Sequence, residues 1–166
     1  MKELKHTISV LVENRSGVLA RISGLFSARG FNIESLSVGE TEDSTISRMT
    51  IVVKGDEQIL EQVEKQLNKL IDVVKVADYI GTSHLQRDLA LIKVKMNSKN
   101  RTELFQTVEV FRAKIVDLSE ESVIIEATGD EEKIEALMNT LKGFGILEMT
   151  RTGIIAMARG NKVLSL

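Results

Sequence analysis

Asn14-Arg15-Ser16-Gly17-Val18-Leu19, followed by Arg29-Gly30-Phe31-Asn32-Ile33-Glu34-Ser35-Leu36, decides how this chain reads. The first stretch leaves an alternating segment, residues 6–13, in which Ile8, Val10 and Val12 share one face of a strand. It opens a helix, because Val18, Leu19, Ile22, Leu25 and Phe26 recur at helical spacing. Ser16 reads as the N-cap, its hydroxyl accepting from a first-turn amide. Gly30 reads as the C′ residue that takes positive φ at a helix end. The second stretch closes that helix and starts a new strand. Residues 32–41 and 45–54 then form a hairpin around Glu42-Asp43-Ser44. Gly55-Asp56 opens a second helix with Leu60, Val63, Leu67 and Leu70 inward, Asp56 and Glu57 complementing its N-terminal dipole. Val73-Val74-Lys75-Val76-Ala77 is the closing strand. The order is β-α-β-β-α-β, the ferredoxin-like arrangement of the α+β class.

The pattern recurs. Gly55-Asp56-Glu57 matches Gly129-Asp130-Glu131 at an offset of 74, where Leu60, Val63 and Leu67 fall on Ile134, Leu137 and Leu141. Asn14 pairs with Asn97 and Ile22 with Phe105 at an offset of 83. A shorter hairpin around Ser119-Glu120-Glu121 absorbs the difference. Two tandem βαββαβ domains follow, residues 1–81 and 82–166, joined near Gly81-Thr82-Ser83-His84, where apolar periodicity lapses. The second copy lacks the special groups of the first. Ser16-Gly17 becomes Lys99-Asn100, and Gly30-Phe31-Asn32-Ile33 becomes Ala113-Lys114-Ile115-Val116, which predicts a structural or partner-facing task for it.

Composition narrows the function classes. The chain has 166 residues, 43% hydrophobic and 28% charged, as soluble globular domains do. Each half would bury only roughly 60–65% of its unfolded surface, so docking or dimerisation is expected. A net charge of −2 gives no global attraction for nucleic acid. No apolar run approaches the roughly 20 residues of a membrane span, and the N-terminus reads as lacking a signal peptide. Cysteine is absent, which removes disulfides, thiol catalysis and thiolate metal sites. A cytoplasmic location is expected.

An amino acid presents a carboxylate and an ammonium on one carbon. A helix N-terminus offers amides and partial positive charge to the carboxylate, with Gly17 removing a Cβ that would block close approach. Asn14 and Asn32 donate and accept, so either serves either end of a zwitterion. Ile33, Val18 and Leu36 stand nearby to read a side chain. The same residues also read as turn chemistry, since Asn and Ser bond their own backbone and Gly takes special dihedrals. Gly30 needs no role beyond ending a helix, and Asn32 no role beyond satisfying local backbone.

Little else carries chemistry. His6 and His84 stand alone, without a metal-ligand pattern around them. Arg48 alternates with Met49 and Ile51, which predicts a solvated face. Asp56-Glu57 and Asp130-Glu131-Glu132 start helices, where carboxylates offset the dipole. There is no Ser/His/Asp arrangement, Walker loop or GxGxxG. No catalytic residue and no metal ligand is predicted.

The segment from His6 to Tyr79 resembles the ACT domain, carried by Asn14-Arg15-Ser16-Gly17-Val18-Leu19 and Gly30-Phe31-Asn32-Ile33. End to end, the chain resembles the small, regulatory subunits of acetolactate synthase. Ser9 to Asn14, Gly24-Leu25-Phe26-Ser27, Asn32 to Leu36 and Ser47 to Ile51 carry this closer match, with Gly55-Asp56-Glu57 and Leu60 to Leu67. Phe111 to Asp117 and Arg151-Thr152-Gly153 continue it. The resemblance implies a non-catalytic subunit that activates a large thiamine-diphosphate subunit of branched-chain amino acid synthesis and confers feedback inhibition, usually by valine. It implies a homodimer through the ACT domain, with Asn14, Gly17 and Val18 from one protomer facing Asn32 and Ile33 of its partner around the effector. Thiamine diphosphate, magnesium and flavin would belong to the catalytic subunit, none to this chain. The alternative is a stand-alone amino acid sensor or dimerisation module serving another enzyme or regulator.

Overall fold

The computed structural model describes residues 4–166, in two units that separate by contact. One holds the chain up to Leu85 together with Ile155–Leu166; the other is Gln86–Ile154. The expected boundary fell at 81/82, with the C-terminal residues in the second domain. In the structure the tail belongs to the first unit, where it is tied by Arg159 N–H to Ser83 O (2.9 Å) and Arg48 Nη2 to Ala156 O (2.7 Å).

The first unit runs β1 (Leu4–Glu13), α1 (Val18–Ala28), β2 (Ile33–Glu40), β3 (Ile46–Gly55), α2 (Glu57–Leu67) and β4 (Val73–Asp78). Its sheet is antiparallel with the order β2-β3-β1-β4, so β2 and β4 are edges. Ile8, Val10 and Val12 of β1 and Met49, Ile51 and Val53 of β3 form one apolar face. Val18, Ile22, Leu25 and Phe26 of α1 and Leu60, Val63 and Leu67 of α2 pack on it. Side chains alternate across a strand, so Thr7, Ser9 and Leu11 lie on the opposite face, yet they too are buried. That second buried face was not legible as alternation.

The second unit repeats the plan with β5 (His84–Lys95), α3 (Arg101–Val110), β6 (Lys114–Leu118), β7 (Ser122–Gly129), α4 (Glu131–Leu141) and β8 (Ile146–Arg151). Its order, β6-β7-β5-β8, is that of the first sheet. Ala90, Ile92, Val94, Val123, Ile125 and Ala127 face Leu104, Val108, Ile134, Leu137 and Leu141. A ninth strand, β9 (Ile155–Ala158), lies in the tail.

The repeat extends to irregularities. β1 shifts register against β4 between Leu11 and Val12, and β5 shifts against β8 between Lys93 and Val94. β2 and β6 shift against their neighbours at Ile33/Ser35 and Ile115/Asp117. Asp56 and Asp130 each cap their helix, accepting from Ile59 N–H and Lys133 N–H (2.9 Å each). Through the first two strands of each unit the offset is 82, not 83. The second unit has one residue more before its first helix, and that helix is one residue shorter. Asn14 therefore corresponds to Met96, as their amides show: Asn14 N–H donates to Thr45 O and Met96 N–H to Glu121 O, each extending the ladder between the first and third strands of its unit by one pair. Gly30 corresponds to Arg112 and Asn32 to Lys114.

Candidate functional site

The candidate site is built from the β1–α1 loop. Asn14 Nδ2 donates to Ser44 O (2.8 Å) and Glu40 Oε1 (3.0 Å), and its backbone N–H to Thr45 O (2.7 Å). Both side-chain N–H groups are used within the chain, at its surface, while Oδ1 makes no hydrogen bond among the described residues.

Arg15 turns the other way. Its Nε donates to Asp72 Oδ1 (2.8 Å), its Nη2 pairs with the same oxygen, and Glu13 Oε2 lies 3.0 Å from Nε. Arg21 Nε lies 2.9 Å from Asp72 Oδ2. Asp72 is 1% exposed. It ties the loop and the first turn of α1 to the start of β4. The Asp72 hydrogen bond and charge, followed by Glu13, push the Arg15 guanidinium above its ordinary value. No pattern in the sequence singled out Asp72. Arg15 stood in the quoted motif without a role.

Gly17, not Ser16, occupies the N-cap position of α1, at φ 85° and ψ −12°, and no side chain caps the helix. The reason for glycine is the left-handed backbone, which side chains adopt at a cost. Steric exclusion is a lesser matter, since a Cβ there would sit 3.7 Å from Arg21. Val18 begins the helix and is buried. The first turn carries no acidic residue, and the N–H groups of Leu19 and Ala20 find no acceptor among the described residues. The end of α1 thus keeps its partial positive charge open. In the second unit the same turn holds Glu103, and the loop closes on itself: Asn97 Oδ1 accepts from Lys99 and Asn100 N–H, and Asn100 Oδ1 from Asn97 N–H.

Asn32 and Ile33 lie elsewhere. Asn32 is exposed just before β2, its Nδ2 3.4 Å from Glu34 Oε1. Ile33 is half-buried against the core. Ile33 stands level with Val53, whereas Glu40, which meets Asn14, stands level with Ser47. Six residues of strand separate those levels, roughly 20 Å at strand rise. Within one chain the two halves of the predicted site are not brought together. They occupy opposite ends of an edge strand.

The remaining candidates resolve structurally. His6 is buried, its Nε2 3.0 Å from Gly55 O, and His84 Nδ1 lies 2.7 Å from Thr82 O with its ring 4.8 Å from that of Tyr79. Arg48 is not on a solvated face. Its Nη2 donates to Ser9 Oγ (3.3 Å), Tyr79 Oη (2.7 Å) and Ala156 O. Among the described residues no three His, Asp or Glu side chains converge as a metal site would require, and no helix is long and apolar enough to cross a membrane.

The βαββαβ unit with the open helix N-terminus is of the ACT class: residues 8–75 match the family described as the AHAS small subunit-like ACT domain. Residues 87–160 match the family described as the small subunit of acetolactate synthase. A probable acetolactate synthase small subunit of Archaeoglobus fulgidus is 55% identical, the match covering 96% of this chain and 99% of that one. The acetolactate synthase small subunit of Mycobacterium leprae is 54% identical, over 93% of this chain and 92% of that one. The crystal structure of the acetolactate synthase small subunit from Thermotoga maritima superposes with a TM-score of 0.88 at 46% identity, covering 96% and 99% of the two chains. The chain belongs to the acetolactate synthase small-subunit family.

Proposed function

We propose that this chain is the regulatory subunit of acetolactate synthase, sensing valine at a site shared between two copies and activating a separate catalytic subunit that carries thiamine diphosphate, magnesium and flavin. The observation that carries the reading is the separation of the two half-sites along the open edge β2. Two β2 edges paired antiparallel across a two-fold axis set the start of one strand beside the end of the other. Asn14, Gly17 and Val18 of one protomer then face Asn32 and Ile33 of its partner.

The chemistry fits an α-amino acid. The open amides at the start of α1 receive the carboxylate. Asn14 Oδ1, the amide's Nδ2 being engaged by Glu40 and Ser44, accepts from the ammonium. The partner's half-buried Ile33 supplies apolar surface for a branched side chain, while Val18, its side chain packed in the core, contributes through its backbone at the helix start. Feedback inhibition follows if valine binds one of two states of the complex more tightly than the other.

The test is calorimetric titration of the purified chain with valine, alone and as Asn14→Ala, together with sedimentation of the unliganded protein. Saturable binding lost in the variant, on a dimer, supports the reading. Reconstitution with the catalytic subunit of the same organism then reports activation and valine inhibition. A monomer that binds valine with Asn32 removed would overturn the shared site.

A further inference from the structure

We propose that the first unit carries a second ligand site, for a small organic anion, on the sheet face away from its helices. A cavity of about 630 Å³ opens there, between β4 with Arg48 on one side and the tail from Met157 to Ser165 on the other. Arg48 places it on that face, because the guanidinium bonds Ser9. Ser9 lies on the side of β1 opposite Ile8 and Val10, which carry the helices. The volume is that of a small-molecule pocket.

Three cations line the cavity, Arg48, Lys75 and Lys162. Each bonds only neutral oxygens: Arg48 those of Ser9, Tyr79 and Ala156, Lys75 Nζ the carbonyl of Ser165 (2.9 Å), and Lys162 Nζ the hydroxyl of Thr82 (3.3 Å). Among the described residues none forms an ion pair, and Arg48 Nε and Nη1 make no hydrogen bond. Half-buried charge normally finds a counter-charge, so an unpaired guanidinium on a cavity wall is a standing attraction for an anion.

Two carboxylates also border the cavity, Glu42 and Asp78. Asp78 is engaged elsewhere. Its Oδ1 accepts the Ile80 amide (2.8 Å), and it interacts with Glu64 of α2, whose carboxyl is pushed up by burial and then by Asp78. The cations therefore outweigh the acids. Ala77, Met157 and Leu164 add apolar wall, so the ligand is a carboxylate with a short apolar tail rather than an inorganic ion.

The experiment is amide-shift NMR of the full-length chain titrated with hexanoate, and with hexan-1-ol as the neutral counterpart. The proteins are the wild type, the Lys75→Gln/Lys162→Gln double variant, and Asn14→Ala. Both lysines are exposed, so the double variant keeps the fold. Saturable hexanoate shifts are expected at Lys75, Ala77, Tyr79 and residues 157–165. They should weaken about tenfold in the double variant and with hexan-1-ol, as loss of a charge-assisted contact requires, and persist in Asn14→Ala. Absence of saturable shifts overturns the proposal, as do shifts confined to residues 14–18, or equal affinity in the double variant or for hexan-1-ol.

Discussion

Gly30 and Arg112 occupy the same backbone position in the two units, and both are left-handed, at φ 68° and 50°. Each follows the end of its first helix. Gly30 N–H donates to Ser27 O and Phe31 N–H to Phe26 O; Arg112 N–H donates to Glu109 O and Ala113 N–H to Val108 O. This is the paired closure of a Schellman turn, with Phe31 packed edge-on against Phe26 at 6.4 Å. A left-handed conformation costs a side-chain-bearing residue about 1–2 kcal/mol relative to glycine. Arg112→Gly should therefore stabilise the protein by about 1 kcal/mol, and Gly30→Ala should destabilise it by a similar amount. A Cβ at Gly30 meets nothing within 4 Å, so the second effect is purely conformational. Thermal melts of both variants check the pair.

Gly30 also shows what the sequence made legible. Glycine after an apolar helical run is a stop signal, and the helix ends there. Arginine carries no such signal, so nothing in the sequence marks Arg112 as the counterpart of Gly30. An offset of 83, read from Asn14 against Asn97 and Ile22 against Phe105, sets Gly30 against Ala113, whereas the backbone sets Gly30 against Arg112 and Asn14 against Met96. Periodicity reports which residues face a core, not a one-residue exchange between a loop and a helix. Arg48 departs from the solvated face that alternation predicts for a related reason. Alternation shows that it faces away from Met49, but not that a tail more than 100 residues later covers that face. Asp72, likewise, is a lone acid between apolar residues until the fold brings Arg15 and Arg21 to it.

Gly55 and Gly129 end the strands before α2 and α4, and substitution separates them. A Cβ at Gly55 would fall 2.8–2.9 Å from three side-chain atoms of Ile59, which is branched at its own Cβ and stiff. At Gly129 the nearest atom is Lys133 Cδ at 2.5 Å, on a flexible stem. Gly55→Ala should cost about 1–3 kcal/mol, as overpacking does, and Gly129→Ala visibly less. Chemical denaturation with an unchanged m-value would confirm that the native state alone is affected.

Asp72→Asn removes the anion that holds the β1–α1 loop. The arginines it releases are half-exposed and can rehydrate, so the cost is a lost charged hydrogen bond rather than a stranded ion, about 1–3 kcal/mol. If the loop presents Asn14 and the open amides of α1 to an effector, valine affinity should fall in this variant although Asp72 is buried beneath the loop. Calorimetry well below the melting temperature separates that effect from unfolding.

Glu64 predicts a pH dependence. Its carboxyl is raised above the ordinary value by burial first and by Asp78 next. The folded state then holds the proton to higher pH than the unfolded chain does. Stability from this group is present below the unfolded pKa and is lost as pH rises through the folded one. Glu64→Gln, which carries no charge at any pH, should leave stability near pH 4 little changed and raise it at pH 7. Melting temperatures of both proteins across that range test the sign; a variant gain that is larger in acid would refute it.

The shared effector site makes a prediction that a site within one chain does not. Asn14→Ala and Asn32→Ala homodimers should each lose valine binding, because every site lacks one group. In a mixed dimer, one site takes Asn14 from the Asn32→Ala protomer and Asn32 from the Asn14→Ala protomer, so it is intact; the other site lacks both. Unfolding and refolding an equimolar mixture yields half mixed dimers if pairing is random, hence about a quarter of the wild-type binding sites at wild-type affinity. If both Asn side chains served one ligand within a single protomer, mixing would restore nothing. The roughly 20 Å along β2 between the levels of Ile33 and Glu40 argues for restoration. Calorimetric stoichiometry before and after mixing reads the result directly.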